Sequence, residues 1–175
     1  SVCNPMRIHL FDKLNEYKKV DSGGLLKNNI GRKIGNKKID KINFQKQYKF
    51  VIACENQQFP EYNTEKIFEA FASNAIPIYW GDPKITEVYN EKSFINCNQF
   101  KTLDEVITAV KEIDQDDEKY VKMLNEPIFK DEKYYEKQQE NLKSFLYNIF
   151  DKEKSKAKKI EFSKKYYSYK IYIKY

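Results

Sequence analysis

One histidine, His9, and three cysteines, Cys3, Cys54 and Cys97, are all this 175-residue chain has of the side chains that most often hold metals or cross-link small domains. No two of them stand at metal-ligand spacing, so no metal site is expected. The cysteines are odd in number and far apart, each at the end of a predicted strand. That pattern reads as free buried thiols in a reducing compartment rather than a disulfide framework. No apolar run approaches the roughly 20 residues that cross a bilayer as a helix. The opening SVCNP lacks a charged-then-apolar leader pattern and reads as strand, as if the chain began inside a larger protein. A basic face of the kind that binds nucleic acid is missing too. The net charge is +6, but residues 151–175 hold nine lysines against three acids, which leaves 23 charges of each sign in residues 1–150. What is present in quantity is apolar and aromatic: 41% hydrophobic and 15% aromatic residues are enough for one domain with a real core.

The most informative stretch is YKFVIACENQQFPEYNTEKIFEAFASNAIPIYWGDP, residues 48–83. A short apolar run at 49–54 predicts a buried strand, and 55–62 a polar loop. Thr64 can cap a helix carrying Ile67, Phe68, Ala70, Phe71 and Ala75 at helical spacing, which stops at Asn74. A second strand follows at 76–80, ending in Gly81-Asp82-Pro83. This is a βαβ unit, and ligands of such sheets sit at the carboxyl ends of the strands, where the polar loop lies. Elsewhere the spacing predicts a strand end at 1–3, a helix at 7–17, a very short strand at Val20 and a surface loop at 25–38. Asp40 caps a short helix through Gln47. Beyond Pro83 come a helical turn or two at 84–89, a strand at 93–97, and a helix capped by Thr102. Further helices are expected at 117–125 and at 131–150. In the last of these Tyr134, Tyr135, Leu142, Phe145, Leu146, Ile149 and Phe150 are expected on or near the buried side. The fold class is α/β: a Rossmann-like parallel sheet with helices on both faces.

Glu65 and Lys66 fall in the first turn of the helix opened by Thr64, where unpaired N–H groups and the dipole favour phosphate. Lys66 would add a full charge for a diphosphate, and the Glu65 carboxylate would accept from sugar or ribose hydroxyls. The alternative is a helix start that merely favours Glu electrostatically, with Lys66 solvated. Arg7, at the first strand–helix connection, can point to the same edge and grip a diphosphate, or it is a surface arginine. Asn56 and Tyr62 can hold hydroxyls or stack on a ring, or they serve ordinary turn chemistry. His9 reads as a surface or packing residue, and Asp116-Asp117 as a helix cap.

ENQQFPEYNTEKIFEAFASNAIPIYWGDP resembles the donor-binding signature of the family 10 glycosyltransferases, the α-1,3/1,4-fucosyltransferases. NPMRIHLFDKLN, GGLLKNNIG and KSFINCNQFKTLDEVITAVKEI are similar to neighbouring family segments, so the likeness covers roughly residues 1–129. It implies the C-terminal, donor-binding half of a GT-B enzyme that uses GDP-fucose, inverts the anomeric carbon and needs no metal. By this resemblance Arg7 and Lys66 hold the diphosphate, and Asn56, Tyr62 and Thr64 contact the donor. Glu65 contacts the sugar or ribose and supports the oxocarbenium-like transition state. The general base and the GlcNAc-containing acceptor, such as a lipopolysaccharide chain, belong to a half that lies outside this chain, so residues 1–175 alone are expected to be inactive. Three positions depart from the pattern: Cys54 for an aromatic, Asn63 for Val, and Asp82 for a small residue. A carboxylate at 82 pointing inward would weaken donor binding. The division expected is a donor domain at 1–150 and a basic, Tyr-rich tail at 151–175. The tail interleaves Lys with Tyr and Ile, as a peripheral contact with the inner membrane from the cytoplasm would. Two other readings stay open: a truncated, non-catalytic nucleotide-sugar or membrane-binding module, and a glycosyltransferase for another nucleotide sugar. Lys66→Ala is expected to cost GDP affinity and to leave the melting temperature nearly unchanged.

Overall fold

The computed structural model describes residues 4–25, 27–35 and 37–151. The strand end expected at 1–3 and the basic tail beyond Asp151 lie outside the described residues. In chain order the elements are α1 (Pro5–Tyr17), α2 (Lys38–Gln45), β1 (Phe50–Cys54), α3 (Glu65–Ala72), β2 (Ile76–Trp80), β3 (Ile95–Asn96), α4 (Leu103–Asp114), α5 (Asp117–Leu124) and α6 (Tyr134–Phe150). Short 3-10 turns occupy Ile85–Glu87 and Cys97–Gln99. The chain divides into two compact units, Ser1–Tyr134 and Tyr135–Tyr175.

The first unit is built on a parallel sheet in the order β1-β2-β3, with Ile52 opposite Ile78 and Ile78 opposite Ile95. Side chains alternate across it and separate two cores. On one face Cys54, Ile76, Ile78 and Ile95 pack with Leu10 and Leu14 of α1 and with Val106, Ile107 and Val110 of α4. On the other, Ala53 and Tyr79 pack with Ile67 of α3 and with Ile85, Tyr89 and Phe94. Burial on both faces explains why β2 reads as an unbroken apolar run. The α/β class with helices on both faces is what the structure has.

Several boundaries differ from expectation for local reasons. Asp40 sits inside α2 rather than capping it; its carboxylate accepts from the Lys37 N–H (3.2 Å), so the cap is Lys37 and the helix starts three residues early. Only Ile95–Asn96 pairs as β3, because the Asn96 side chain accepts from Asn98 N–H (3.1 Å) and turns the chain. Val20 forms no strand. In the second unit, α6 does not bury its apolar side: Tyr135, Leu142, Phe145, Leu146, Ile149 and Phe150 are all exposed. Helical periodicity gives a stripe but not a partner, and no described residue of that unit covers it.

Candidate functional site

Three segments meet at the carboxyl end of β1. The parallel ladder turns every second backbone group toward β2: Ile76 N–H donates to Lys49 C=O (2.9 Å) and Glu55 N–H to Trp80 C=O (2.8 Å). The backbone groups of Phe50, Ile52 and Cys54 therefore face the outer edge, which has no strand partner among the described residues. Arg7 reaches that edge. Its Nη2 donates to Cys54 C=O (2.6 Å) and to Asn56 Oδ1 (3.2 Å), leaving Nε and the other Nη to point elsewhere. Asn4 sets the arginine's origin. Its Oδ1 accepts from Met6 N–H (2.8 Å) and caps α1, while its Nδ2 donates to the carbonyls of Glu55 (3.3 Å) and Asn56 (3.0 Å). One side chain thus starts α1 and ties it to the exit of β1.

Glu55 is the centre of the second half. It is fully buried, at 0% exposure, and a carboxylate in that position is costly unless several donors surround it. Thr64 gives its backbone N–H (2.8 Å) and its hydroxyl, and Lys66 gives its ammonium (2.8 Å). Lys66 also donates to Thr64 Oγ1 (2.7 Å). Gly81 leaves the space this needs: a Cβ there would lie 2.5 Å from Glu55 Cγ. Thr64 stands at the N-cap position of α3 as expected, but its hydroxyl is used on Glu55 and makes no cap hydrogen bond. The first turn of α3 is partly filled by its own acid. The Glu65 carboxyl is held below the usual range, first by its own backbone N–H and then by Lys66 and Thr64 against the cost of burial. It is a half-exposed carboxylate that lies 3.6 Å from Lys66.

The structure therefore brings Arg7, Asn56, Thr64, Glu65 and Lys66 to one strand end. Tyr62 stands apart on the loop, 37% exposed, with no side-chain bond to this group among the described residues. Among the described residues Arg7 is in no ion pair, whereas Lys66 is in two, so the two cations are not equivalent. Sequence reasoning missed Asn4 and Glu55 as positioning residues; the signal available was a carboxylate placed directly after an apolar strand. His9 is exposed and Asp116 caps α5, as expected. Among the described residues no group of three His, Cys, Asp or Glu could hold a metal ion. Burial pushes the Cys54 and Cys97 thiols up, Cys97 to about 12, and both are free. A cavity of about 490 Å³ lies beside the outer edge of β1 between α1 and α2 and borders only Arg7 of the site residues. Convergence of side chains, not cavity volume, locates the site.

Asp82 answers the question its charge raised. It is buried, and its oxygens accept from the N–H groups of Glu61 (2.9 Å) and Lys84 (2.8 Å) and from Asn63 Nδ2 (3.2 Å). It is committed to the β1–α3 loop rather than aimed at an incoming phosphate.

The model of glycosyltransferase family 10 (fucosyltransferase), C-terminal region, matches residues 1–156, beyond the 1–129 read from sequence. An alpha-(1,3)-fucosyltransferase of Helicobacter pylori is 40% identical over 122 residues, 70% of this chain and 25% of that protein. A crystal structure of an alpha1,3-fucosyltransferase with GDP is 40% identical, with a TM-score of 0.67 over 70% of this chain and 35% of that one. A second, with GDP-fucose, is 39% identical at a TM-score of 0.65 and the same coverage. The chain thus spans about a quarter to a third of the length of these relatives.

Proposed function

The chain belongs to glycosyltransferase family 10, and from that premise we propose that residues 1–134 bind GDP-fucose for transfer, with inversion, to a GlcNAc-containing glycan such as a lipopolysaccharide chain. The observation that carries this is the meeting of Arg7 with the Glu55–Thr64–Lys66 cluster at the carboxyl end of β1. The buried Glu55 holds the Lys66 ammonium in one place before any ligand arrives, which lowers the ordering cost of binding a diphosphate. Arg7, in no ion pair among the described residues, contributes a guanidinium with donors still available beyond those used on Cys54 and Asn56, suited to two phosphate oxygens at once. As the bond from sugar to phosphate lengthens, negative charge collects on the departing GDP, and these two cations stabilise it. Glu65, ionised at neutral pH, accepts from hydroxyls of the ribose or fucose and faces the positive charge developing on the sugar. A phosphate at the start of α3 shares the first turn with the Glu65 carboxylate or displaces it. Tyr62 contacts the donor from the loop. The general base and acceptor site come from parts of the enzyme that its longer relatives also contain. The protein works in the cytoplasm at the inner membrane, a reading supported by the alternation of Lys with Tyr and Ile beyond Asp151.

The test is the thermal shift of the chain with GDP, GDP-fucose, GDP-mannose and UDP. GDP and GDP-fucose are expected to raise the melting temperature, following RT ln(1 + [L]/Kd). Stabilisation by no guanine nucleotide, or a larger effect of UDP, would sink the assignment.

A further inference from the structure

We propose that Asp82 is a positioning residue for donor binding: it sets the β1–α3 loop, residues 58–63, in one conformation and so places Tyr62 over the sugar of the nucleotide. This rests on the reading of the site as a GDP-fucose site. Apart from an exposed ion pair between Lys84 Nζ and the Glu61 carboxylate (3.3 Å), the loop has little else to hold it. Its residues 57–63 are exposed, its backbone makes one internal hydrogen bond, Tyr62 N–H to Phe59 C=O (3.1 Å), and it lies outside every helix and strand. Glu61 even takes a left-handed conformation, φ +66°, which a residue with a side chain adopts only when its surroundings impose it.

Those surroundings come from the exit of β2. Asp82 accepts from Glu61 N–H and from the Asn63 amide, on either side of Tyr62. Its own position is fixed from below: its N–H donates to the hydroxyl of the buried Tyr79 (3.0 Å), and its carbonyl accepts from Asn98 Nδ2 (3.2 Å). The same Asn98 accepts from Gln58 Nε2 (3.0 Å) at the start of the loop. The loop is therefore pinned at Gln58, Glu61 and Asn63 by a single buried anchor and its neighbour, and Tyr62 is carried between two of the pins. Asn63 and Asp82, two of the positions at which the sequence departs from the family pattern, are bonded to each other. The diphosphate ligands Arg7 and Lys66 are held by other groups, the segment 54–56 and Glu55. Loss of Asp82 should thus affect the sugar end of the donor and spare the phosphate end.

The experiment compares Kd for GDP and for GDP-fucose by calorimetry, with amide hydrogen exchange at Glu61, in the full chain and three variants. Asn63→Asp puts two carboxylates where an amide-to-carboxylate bond stood. Asp82→Asn combined with Asn63→Asp restores that bond with donor and acceptor exchanged and the net charge unchanged. Asp82→Ala removes both pins. Asn63→Asp and Asp82→Ala are expected to weaken GDP-fucose about tenfold relative to GDP and to speed exchange at Glu61, while the double variant returns the ratio to within about twofold of wild type. Equal loss for GDP and GDP-fucose, an unchanged ratio, or no recovery in the double variant overturns the proposal. A wild-type chain that binds no guanine nucleotide overturns the donor reading and with it Tyr62's part. Exchange at Glu61 still decides, in that case, whether Asp82 holds the loop.

Discussion

Lys66 holds a buried acid in place, and that changes what its removal should do. With the ammonium gone, Glu55 keeps, among the described residues, only the Thr64 N–H and hydroxyl, at 0% exposure. Leaving one member of a buried ion pair behind costs about 3 kcal/mol, somewhat less where the lost partner is partly solvated as Lys66 is. The stability-neutral Lys66→Ala expected from sequence is therefore revised. The variant should lose about ten- to a hundredfold in GDP affinity and also several degrees in melting temperature. Lys66→Ala combined with Glu55→Gln, which removes the stranded charge, should recover stability without recovering affinity. Calorimetry and thermal melts on the two variants separate the effects; a Lys66→Ala chain that melts like wild type would mean that Glu55 does not depend on it. The place of Lys66 in the first turn of α3 was readable from the sequence, because a helix start is set locally. Glu55 was not, because its meaning is its burial.

Helices and strands are joined in the first unit by a part-buried acid, Asp114, at the end of α4. Its carboxylate accepts from Tyr17 Oη (3.0 Å) at the end of α1 and from Lys18 Nζ (2.9 Å), and Lys49, just before β1, approaches to 3.8 Å. Burial alone would raise this carboxyl, but the hydrogen bonds from Lys18 and Tyr17, helped by the charges of Lys18 and Lys49, hold it below the ordinary aspartate value of 3.8. A carboxyl more acidic in the folded chain than in the unfolded one adds stability above the unfolded value. That stability drains away as the pH falls through the folded value. Asp114→Asn should lower the melting temperature at neutral pH, and its gap from wild type should close as melts are taken below about pH 3.8. A gap that stays constant with pH would show that Asp114 acts by packing alone. Most elements were legible because their signals are local. Ile76–Trp80 was read to the residue, bounded by Asn74, which takes φ +59° after α3, and by Gly81. The stripe on α6 was read as buried because periodicity reports a face and never what lies against it.

At the scale of the whole molecule, the likeness to family 10 covers residues 1–156, yet the chain spans only 25% of its Helicobacter pylori relative. A donor site at a strand edge exposes the sugar until another surface closes over it and brings an acceptor and a base. Residues 1–175 on their own are therefore expected to bind GDP-fucose and to transfer nothing. The check is a radiolabelled-donor assay with a GlcNAc-containing acceptor, run beside a longer family 10 relative. Turnover by the isolated chain would show that it holds a general base of its own.

The sequence by itself determined the α/β alternation, the family, and the strand-to-helix turn at which Thr64, Glu65 and Lys66 fall. These depend on neighbours a few positions apart: apolar spacing, a strand exit, the first turn of a helix. Only the tertiary structure decided which charges are already used and which stay available. Lys66 is tied to a buried acid, Arg7 is bound to a carbonyl 47 residues away in sequence, and Asp82 is turned into a loop rather than a phosphate. Partners at such separations are brought together by the packing of two cores on one sheet. Burial, which sets what a charge costs and what must satisfy it, exists only after that packing is complete.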